Sequence, residues 1–183
     1  AGVGVVPAGG GTKEMALRAL DRGAGVEADP FPFLRRAFET IAFAKVSTSG
    51  AEALRLYLAP SDSISANPDR LLHEAREVAL GLARAGQRAR APRADVPAAG
   101  RPALATFQMA IYNLQAGGRI SEHDALVAGK VAAILCGGDR APGLTTEQAL
   151  LDLEREAFLS LLGTRKTRER IQHMLKTGKP LRN

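Results

Sequence analysis

The sequence has few cysteine, histidine or aromatic residues, so neither disulfides nor a metal site is expected to hold the fold. It has no tryptophan, one cysteine and three histidines in 183 residues, and only 4% of its residues are aromatic. The single cysteine, Cys136, cannot form an internal disulfide, so a reducing cytoplasm is expected, and its apolar surroundings predict a buried, inert thiol. His73, His123 and His173 fall on different predicted helices without ligand spacing. They are expected at solvated helix surfaces, and no metal site is predicted.

Long apolar runs are also missing. No run approaches the roughly 20 residues that a membrane helix needs, so no membrane span is expected. The composition, 45% hydrophobic and 24% charged, is that of a globular protein. The net charge of +6 favours an anionic ligand or an acidic partner. The basic residues near the end lack interleaved aromatics after Phe158, which argues against nucleic acid as a partner.

The first fifteen residues contain a glycine-rich corner. An apolar run over residues 3–6 is stopped by Pro7, passes through Gly9–Gly11, and restarts at Thr12, a candidate N-cap. The pattern predicts a strand, a loop and a helix. It is not a Walker loop, because Lys13 follows the threonine instead of preceding it. It is not a dinucleotide fingerprint either, because the third glycine is missing. A plain glycine-rich turn remains open.

The stretch from Gly4 to Lys13 resembles the Gly-x-x-Pro-Gly-x-Gly-Gly-Thr-Gln segment of the crotonase (enoyl-CoA hydratase/isomerase) superfamily. Alanine replaces one family glycine at Ala8, and Lys13 replaces the glutamine. In that family the segment follows the second of two catalytic glutamates, so the resemblance implies that this glutamate precedes Ala1. The chain is then expected to be a C-terminal piece of a larger protein, without catalytic residues of its own. The resemblance implies substrate or coenzyme A contacts for three residues: Pro7, Gly9 and Gly10.

Helix signals dominate the next stretch. A helix is predicted from Asp29-Pro30 to about Lys45, and a second from a capping box at Ser49–Glu52. Residues 61–65 are polar and predict a short edge strand. The clearest helix starts at Asn67-Pro68. It carries one apolar stripe, made of Leu71, Leu72, Ala75, Val78, Ala79 and Leu82.

Residues 87–102 are rich in arginine, proline and alanine and predict a linker. Four helices are predicted after it, with N-terminal caps at Ser121, Thr145 and Thr164 and glycines at their ends. The predicted organisation is residues 1–66 as the end of a crotonase-like core, 67–86 as a helix, 87–102 as the linker and 103–183 as a C-terminal helical region. The fold class is mostly α, with a short β/α remnant at the N-terminus.

Residues 39–49 and 152–182 resemble the C-terminal, crotonase-like part of long bacterial 3-hydroxyacyl-CoA dehydrogenases. That resemblance implies a parent enzyme of fatty-acid β-oxidation that acts on acyl-CoA thioesters and uses NAD, with upstream domains in the same chain and a homo-oligomeric state. It also implies that Lys176 or Lys179 lies near the adenosine phosphates of coenzyme A. The alternative for these lysines is a solvated cationic face. It would be shared by Arg165, Lys166, Arg168, Arg170 and Arg182. The alternative function is a non-catalytic helical interaction or oligomerisation module.

Overall fold

A computed structural model describes residues 2–26, 28–59 and 61–183, so the first residue of the predicted corner lies outside the described residues. Helices dominate these ranges, and one pair of short strands accompanies them, which confirms the mostly α prediction. The chain divides into two compact units, Ala1–Val46 with Arg93–Asn183, and Ser47–Pro92. No helix in the described ranges is long and apolar enough to cross a membrane.

The described ranges contain eight α-helices and two short strands. In order they are α1 (Gly11–Ala24), α2 (Phe31–Ala42), α3 (Gly50–Leu56), α4 (Leu71–Arg84), β1 (Val96–Ala98), α5 (Gly100–Ala116), α6 (Glu122–Leu135), β2 (Gly143–Thr145), α7 (Glu147–Leu162) and α8 (Arg165–Thr177). The four helices predicted after residue 102 are therefore confirmed as α5 to α8.

Helix α6 is the centre of the first unit. It contacts α1, α2, α5 and α7. Val131 and Ala132 are fully buried, and Val127 and Ile134 are 1% exposed. A helix that is apolar over most of its circumference belongs in a core, where each face finds a neighbour. Its start is fixed by the predicted capping box, in which Ser121 Oγ accepts from the Asp124 N–H and the Asp124 carboxylate accepts from the Ser121 N–H.

The strand pair was not predicted. β1 and β2 run antiparallel with Val96 opposite Thr145, so the last part of the predicted linker forms a strand and the start of α5. Thr145 lies in β2, and the cap of α7 is Thr146, one residue later than predicted. The backbone of Gly100 leaves no room for a side chain, because an added Cβ would lie 2.5 Å from the Arg140 oxygen. Three-residue strands carry too little periodicity to be read from sequence.

The N-terminal corner also differs from its prediction. The described residues 2–6 form turns and bends instead of a strand, with Gly4 at φ +83°. Helix α1 starts at Gly11, and its N-cap is Gly10 at φ +95°, not Thr12. Thr12 is buried in the first turn of α1, where its hydroxyl donates to the Pro7 backbone oxygen at 3.0 Å. Glycine is thus needed at Gly4 and Gly10, because both have a positive φ that other residues rarely adopt.

The second unit contains α3 and α4. Ser49 caps α3 as predicted, accepting from the Glu52 N–H at 3.2 Å. The predicted edge strand at residues 61–65 is wrong, because these residues form a turn and irregular backbone. A short 3₁₀ turn, Pro68–Arg70, precedes α4. The apolar stripe of α4 is present, but none of its residues is buried, and Leu72 is 84% exposed.

Candidate functional site

The glycine corner is occupied by a carboxylate of the chain itself. Glu154, on α7 and 2% exposed, accepts from the Gly10 N–H at 2.6 Å through Oε1 and from the Lys13 N–H at 2.9 Å through Oε2. The first backbone N–H groups of a helix lack intrahelical partners and attract anions. Glu154 therefore takes the position that a phosphate would take at the start of α1.

The side chain of Lys13 is also bound by carboxylates of the chain itself. Its Nζ lies 2.6 Å from Glu14 Oε1 and 2.7 Å from Glu147 Oε1, and the other oxygen of Glu147 accepts from the Arg93 N–H. Burial alone would lower the pKa of Lys13, but its hydrogen bonds to the two carboxylates outweigh burial, and the pKa is raised. Lys13 is held as a cation inside the fold.

The three predicted contact residues of the corner lie together, in two different environments. Pro7 and Gly9 are exposed, and an added Cβ at Gly9 would meet nothing within 4 Å. Gly10 is buried, and its N–H is bound to Glu154. Substrate contact by Pro7, Gly9 and Gly10 stays a prediction.

The two predicted phosphate-binding lysines lie at the other end of the sequence. Lys176 is in the last turn of α8, Lys179 follows the helix, and both are exposed. Among the described residues, no hydrogen bond or ion pair joins either lysine to the glycine corner. Their role with coenzyme A also stays a prediction.

Arg170 is buried, unlike the solvated cation that was predicted. It is 1% exposed and donates to Asp124 Oδ1 at 2.7 Å, Ser121 Oγ at 3.2 Å and Asn183 Oδ1 at 2.8 Å. Burial alone would raise the pKa of Asp124, but the hydrogen bond from Arg170 and that from the Ser121 N–H outweigh it and lower the pKa. Arg170 thus joins the start of α6, helix α8 and the last residue.

His123 was predicted at a solvated surface and is instead 3% exposed. Its Nε2 lies 2.8 Å from the Thr167 hydroxyl, which donates to the Gly4 oxygen at 2.7 Å. Because a hydroxyl has one proton to donate, Nε2 of His123 carries the proton of this bond. Burial, and then the charges of Arg170 and Lys166, lower the pKa of His123. The ring is held neutral as a structural partner of the N-terminal segment.

Cys136 is buried, as the sequence predicted. Desolvation raises the pKa of its thiol to about 12, so the thiolate that would act as a nucleophile or metal ligand is not formed near neutral pH.

An open groove runs between α2 and α5 and was not predicted. Its volume is about 710 Å³. We call it the aromatic groove. It is lined by Phe31, Arg35, Phe38, Glu39, Phe43, Thr106, Phe107, Ala110, Asn113, Leu114, Gly117 and Arg119. Four of the chain's six phenylalanines thus line one cavity. The ring of Phe107 lies 5.1 Å from that of Phe31 and 4.7 Å from that of Phe38.

The sequence contained part of the signal for this groove. Phe31 and Phe38 lie on one face of α2, and Phe107 lies on the apolar face of α5. The spacing of these residues in the sequence is that of apolar helix faces. Periodicity shows which residues share a helix face, but it does not show that two such faces leave a gap between them.

The comparison with known proteins adds a relative. Over 184 aligned residues, this chain is 42% identical to a Bacillus subtilis (strain 168) protein described as "Probable 3-hydroxyacyl-CoA dehydrogenase". The whole chain is similar to part of that protein. The match covers all of this chain and the C-terminal 23% of the relative, so the chain spans about a quarter of the relative's length. No family model matches the sequence. No solved structure matches it either.

Proposed function

We propose that this chain is part of a 3-hydroxyacyl-CoA dehydrogenase, an oxidoreductase of fatty-acid β-oxidation that acts on acyl-CoA thioesters. The observation that carries the proposal is the 42% identity, which extends over the whole chain and not over one motif. The proposal includes NAD and a coenzyme A thioester for the parent protein, a cytoplasmic location and a homo-oligomeric state.

The finer part of the proposal assigns this chain to a hydratase-like, crotonase-related region. The Gly4–Lys13 pattern supports it. In crotonase chemistry two backbone N–H groups stabilise the thioester enolate, and glutamates move the protons. In this chain the N–H groups of Gly10 and Lys13 are bound to Glu154. They are therefore not free to act as an oxyanion hole, and the catalytic groups of the parent are assigned to residues outside this chain.

The test compares two proteins, the isolated 183-residue chain and the full-length parent. Each is assayed for hydration of a 2-enoyl-CoA and for NAD-dependent oxidation of a 3-hydroxyacyl-CoA. We expect no turnover by the isolated chain and oxidation by the parent. Hydration by the isolated chain would contradict the assignment of the catalytic groups. A parent that binds NAD and oxidises no 3-hydroxyacyl-CoA would contradict the proposal itself.

A helical interaction module is the second candidate. The outer face of α5 supports it, because no charged residue occurs from 102 to 118 and a stripe on that face is exposed. The stripe is made of Ala105, Met109, Tyr112 and Ala116. Interface cores are depleted in charge and enriched in tyrosine and methionine. Light scattering on the full-length parent and on its Tyr112→Glu variant tests this candidate: a change in assembly without loss of turnover supports it, and an unchanged mass argues against it.

A further inference from the structure

We infer that the aromatic groove binds the acyl chain of a long-chain acyl-CoA thioester, an inference that rests on the proposed function and extends it to the substrate's chain length. The cavity volume of about 710 Å³ lies within the range of small-molecule sites, roughly 300–1,000 Å³. Such sites combine an apolar lining with a few polar groups that orient the ligand, and the aromatic groove has both.

The lining is suited to methylene groups. Phe38 and Phe107, 4% and 3% exposed, form the floor, and Phe43, 46% exposed, stands at the edge. Ala110 and Leu114 complete the apolar wall on the side of α5. An acyl chain in contact with these side chains loses its exposure to water, which strengthens binding by about fourfold for each methylene group buried.

The shape favours a chain over a compact ligand. Lining residues run from Phe31, the first residue of α2, to Phe43, just after its last residue. A helix of 12 residues is about 18 Å long, so the groove is an elongated trough parallel to α2. Thr106, in the middle of α5, and Gly117, just after its last residue, both line it, so the groove follows the second half of α5 over roughly 16 Å.

The charged residues that line the groove indicate the chemistry of the ligand's head group. Three charged residues line the groove, and two of them, Arg35 and Glu39, neutralise each other at 2.9 Å. The third, Arg119, forms no ion pair within the described part of the chain. One uncompensated positive charge at the end of an apolar trough complements an amphiphile with an anionic head, such as the phosphates of coenzyme A.

The experiment uses the full-length parent and a pair of matched variants on α5. Ala110→Trp places a large side chain in the groove. Gln108→Trp places the same side chain about 200° away around the helix, on an exposed residue that does not line the groove. Calorimetry measures the dissociation constants of butyryl-CoA, octanoyl-CoA and palmitoyl-CoA, each below its micelle concentration, and of free palmitate.

We expect affinity to increase from butyryl-CoA to palmitoyl-CoA in the wild type and in Gln108→Trp. In Ala110→Trp, palmitoyl-CoA should bind at least tenfold more weakly and butyryl-CoA with unchanged affinity. Arg119→Gln should weaken palmitoyl-CoA binding several-fold at low salt, with a smaller effect at high salt.

Three results would overturn the inference. The first is an unchanged chain-length dependence in Ala110→Trp. The second is palmitate binding as tightly as palmitoyl-CoA, which would show that the groove binds a free fatty acid and does not recognise the coenzyme A thioester. The third is a changed oligomeric mass in Ala110→Trp, which assigns the groove to a protein contact. Oxidation of 3-hydroxybutyryl-CoA by the same wild-type sample tests the proposed function separately, because a short substrate does not need the groove.

Discussion

Glu154 Oε1 accepts a hydrogen bond from the Gly10 N–H at 2.6 Å, across 144 residues of sequence. The glycine corner resembles a loop prepared for an external anion, and the chain supplies that anion from α7. The bond holds the start of α1 against α7, so the glycine corner contributes to the packing of the fold.

Replacing Glu154 with glutamine should destabilise the protein. The amide keeps one acceptor but brings its NH₂ group toward either the Gly10 or the Lys13 N–H, which leaves a buried donor without an acceptor. We expect a loss of about 1–3 kcal/mol in the free energy of unfolding, measured by urea denaturation. Glu156→Gln, at an exposed position of the same helix, should change it by less than about 0.5 kcal/mol. Equal effects would show that the carboxylate does not hold the corner.

Gly4→Ala should be costly, and Gly9→Ala should be much less so. Both glycines have positive φ, +83° and +72°, so each alanine brings a backbone strain of roughly 1–2 kcal/mol. At Gly4 the new Cβ would also lie 3.0 Å from Thr167 Oγ1 and 3.1 Å from Arg170 Cδ, whereas at Gly9 it meets nothing within 4 Å. We expect Gly4→Ala to lower the free energy of unfolding, measured by urea denaturation, by about 1–3 kcal/mol more than Gly9→Ala, which is the overpacking penalty. A larger loss at Gly9 would contradict the packing of Gly4 on α8.

Arg170→Lys should destabilise the protein despite the retained charge. A lysine cannot reproduce the fork of donors that reaches Asp124, Ser121 and Asn183 together. Breaking a buried ion pair costs about 3–5 kcal/mol when one partner is removed, and we expect a part of that loss here. Arg168→Lys, on an exposed position of α8, is the control and should be neutral. Thermal unfolding of both variants would decide, and similar Tm values would rule out the buried network as a source of stability.

Stability should fall as the pH decreases below about 6.5 because of His123. Its pKa is lower in the folded chain, so the unfolded state takes up the proton first, and the stability that is present above this pH is lost as the pH drops toward the folded pKa. His123→Gln should make the free energy of unfolding less dependent on pH below about 6.5. Asp124, which is hydrogen-bonded to Arg170, contributes at lower pH. Because its pKa is lowered in the folded chain, the stability that it adds is present above about pH 3.8 and is lost as the pH falls below that value. An unchanged pH profile in His123→Gln would contradict this assignment to His123.

The local features of this fold could be predicted from the sequence. The caps at Ser49, Ser121 and Thr164 were found because a capping residue and its partner lie within one helical turn. The strand pair, the position of Glu154 and the burial of His123 and Arg170 were not found. Each depends on residues that are far apart in the chain, and helical periodicity does not report such contacts.

The candidate site could be predicted only in part, for the same reason. The glycine corner was recognised from its spacing, but the carboxylate that occupies it comes from α7. The sequence also placed Phe38 and Phe107 on apolar helix faces, and the open space beside them arises only when α2 and α5 pack.

The proposed function assigns this chain to an enzyme that oxidises 3-hydroxyacyl-CoA thioesters. The most direct measurement is the appearance of NADH when the full-length parent is given NAD and 3-hydroxybutyryl-CoA. We expect NADH formation that requires both compounds and is absent with the isolated 183-residue chain. A folded parent that produces no NADH from either short-chain or long-chain 3-hydroxyacyl-CoA would contradict it.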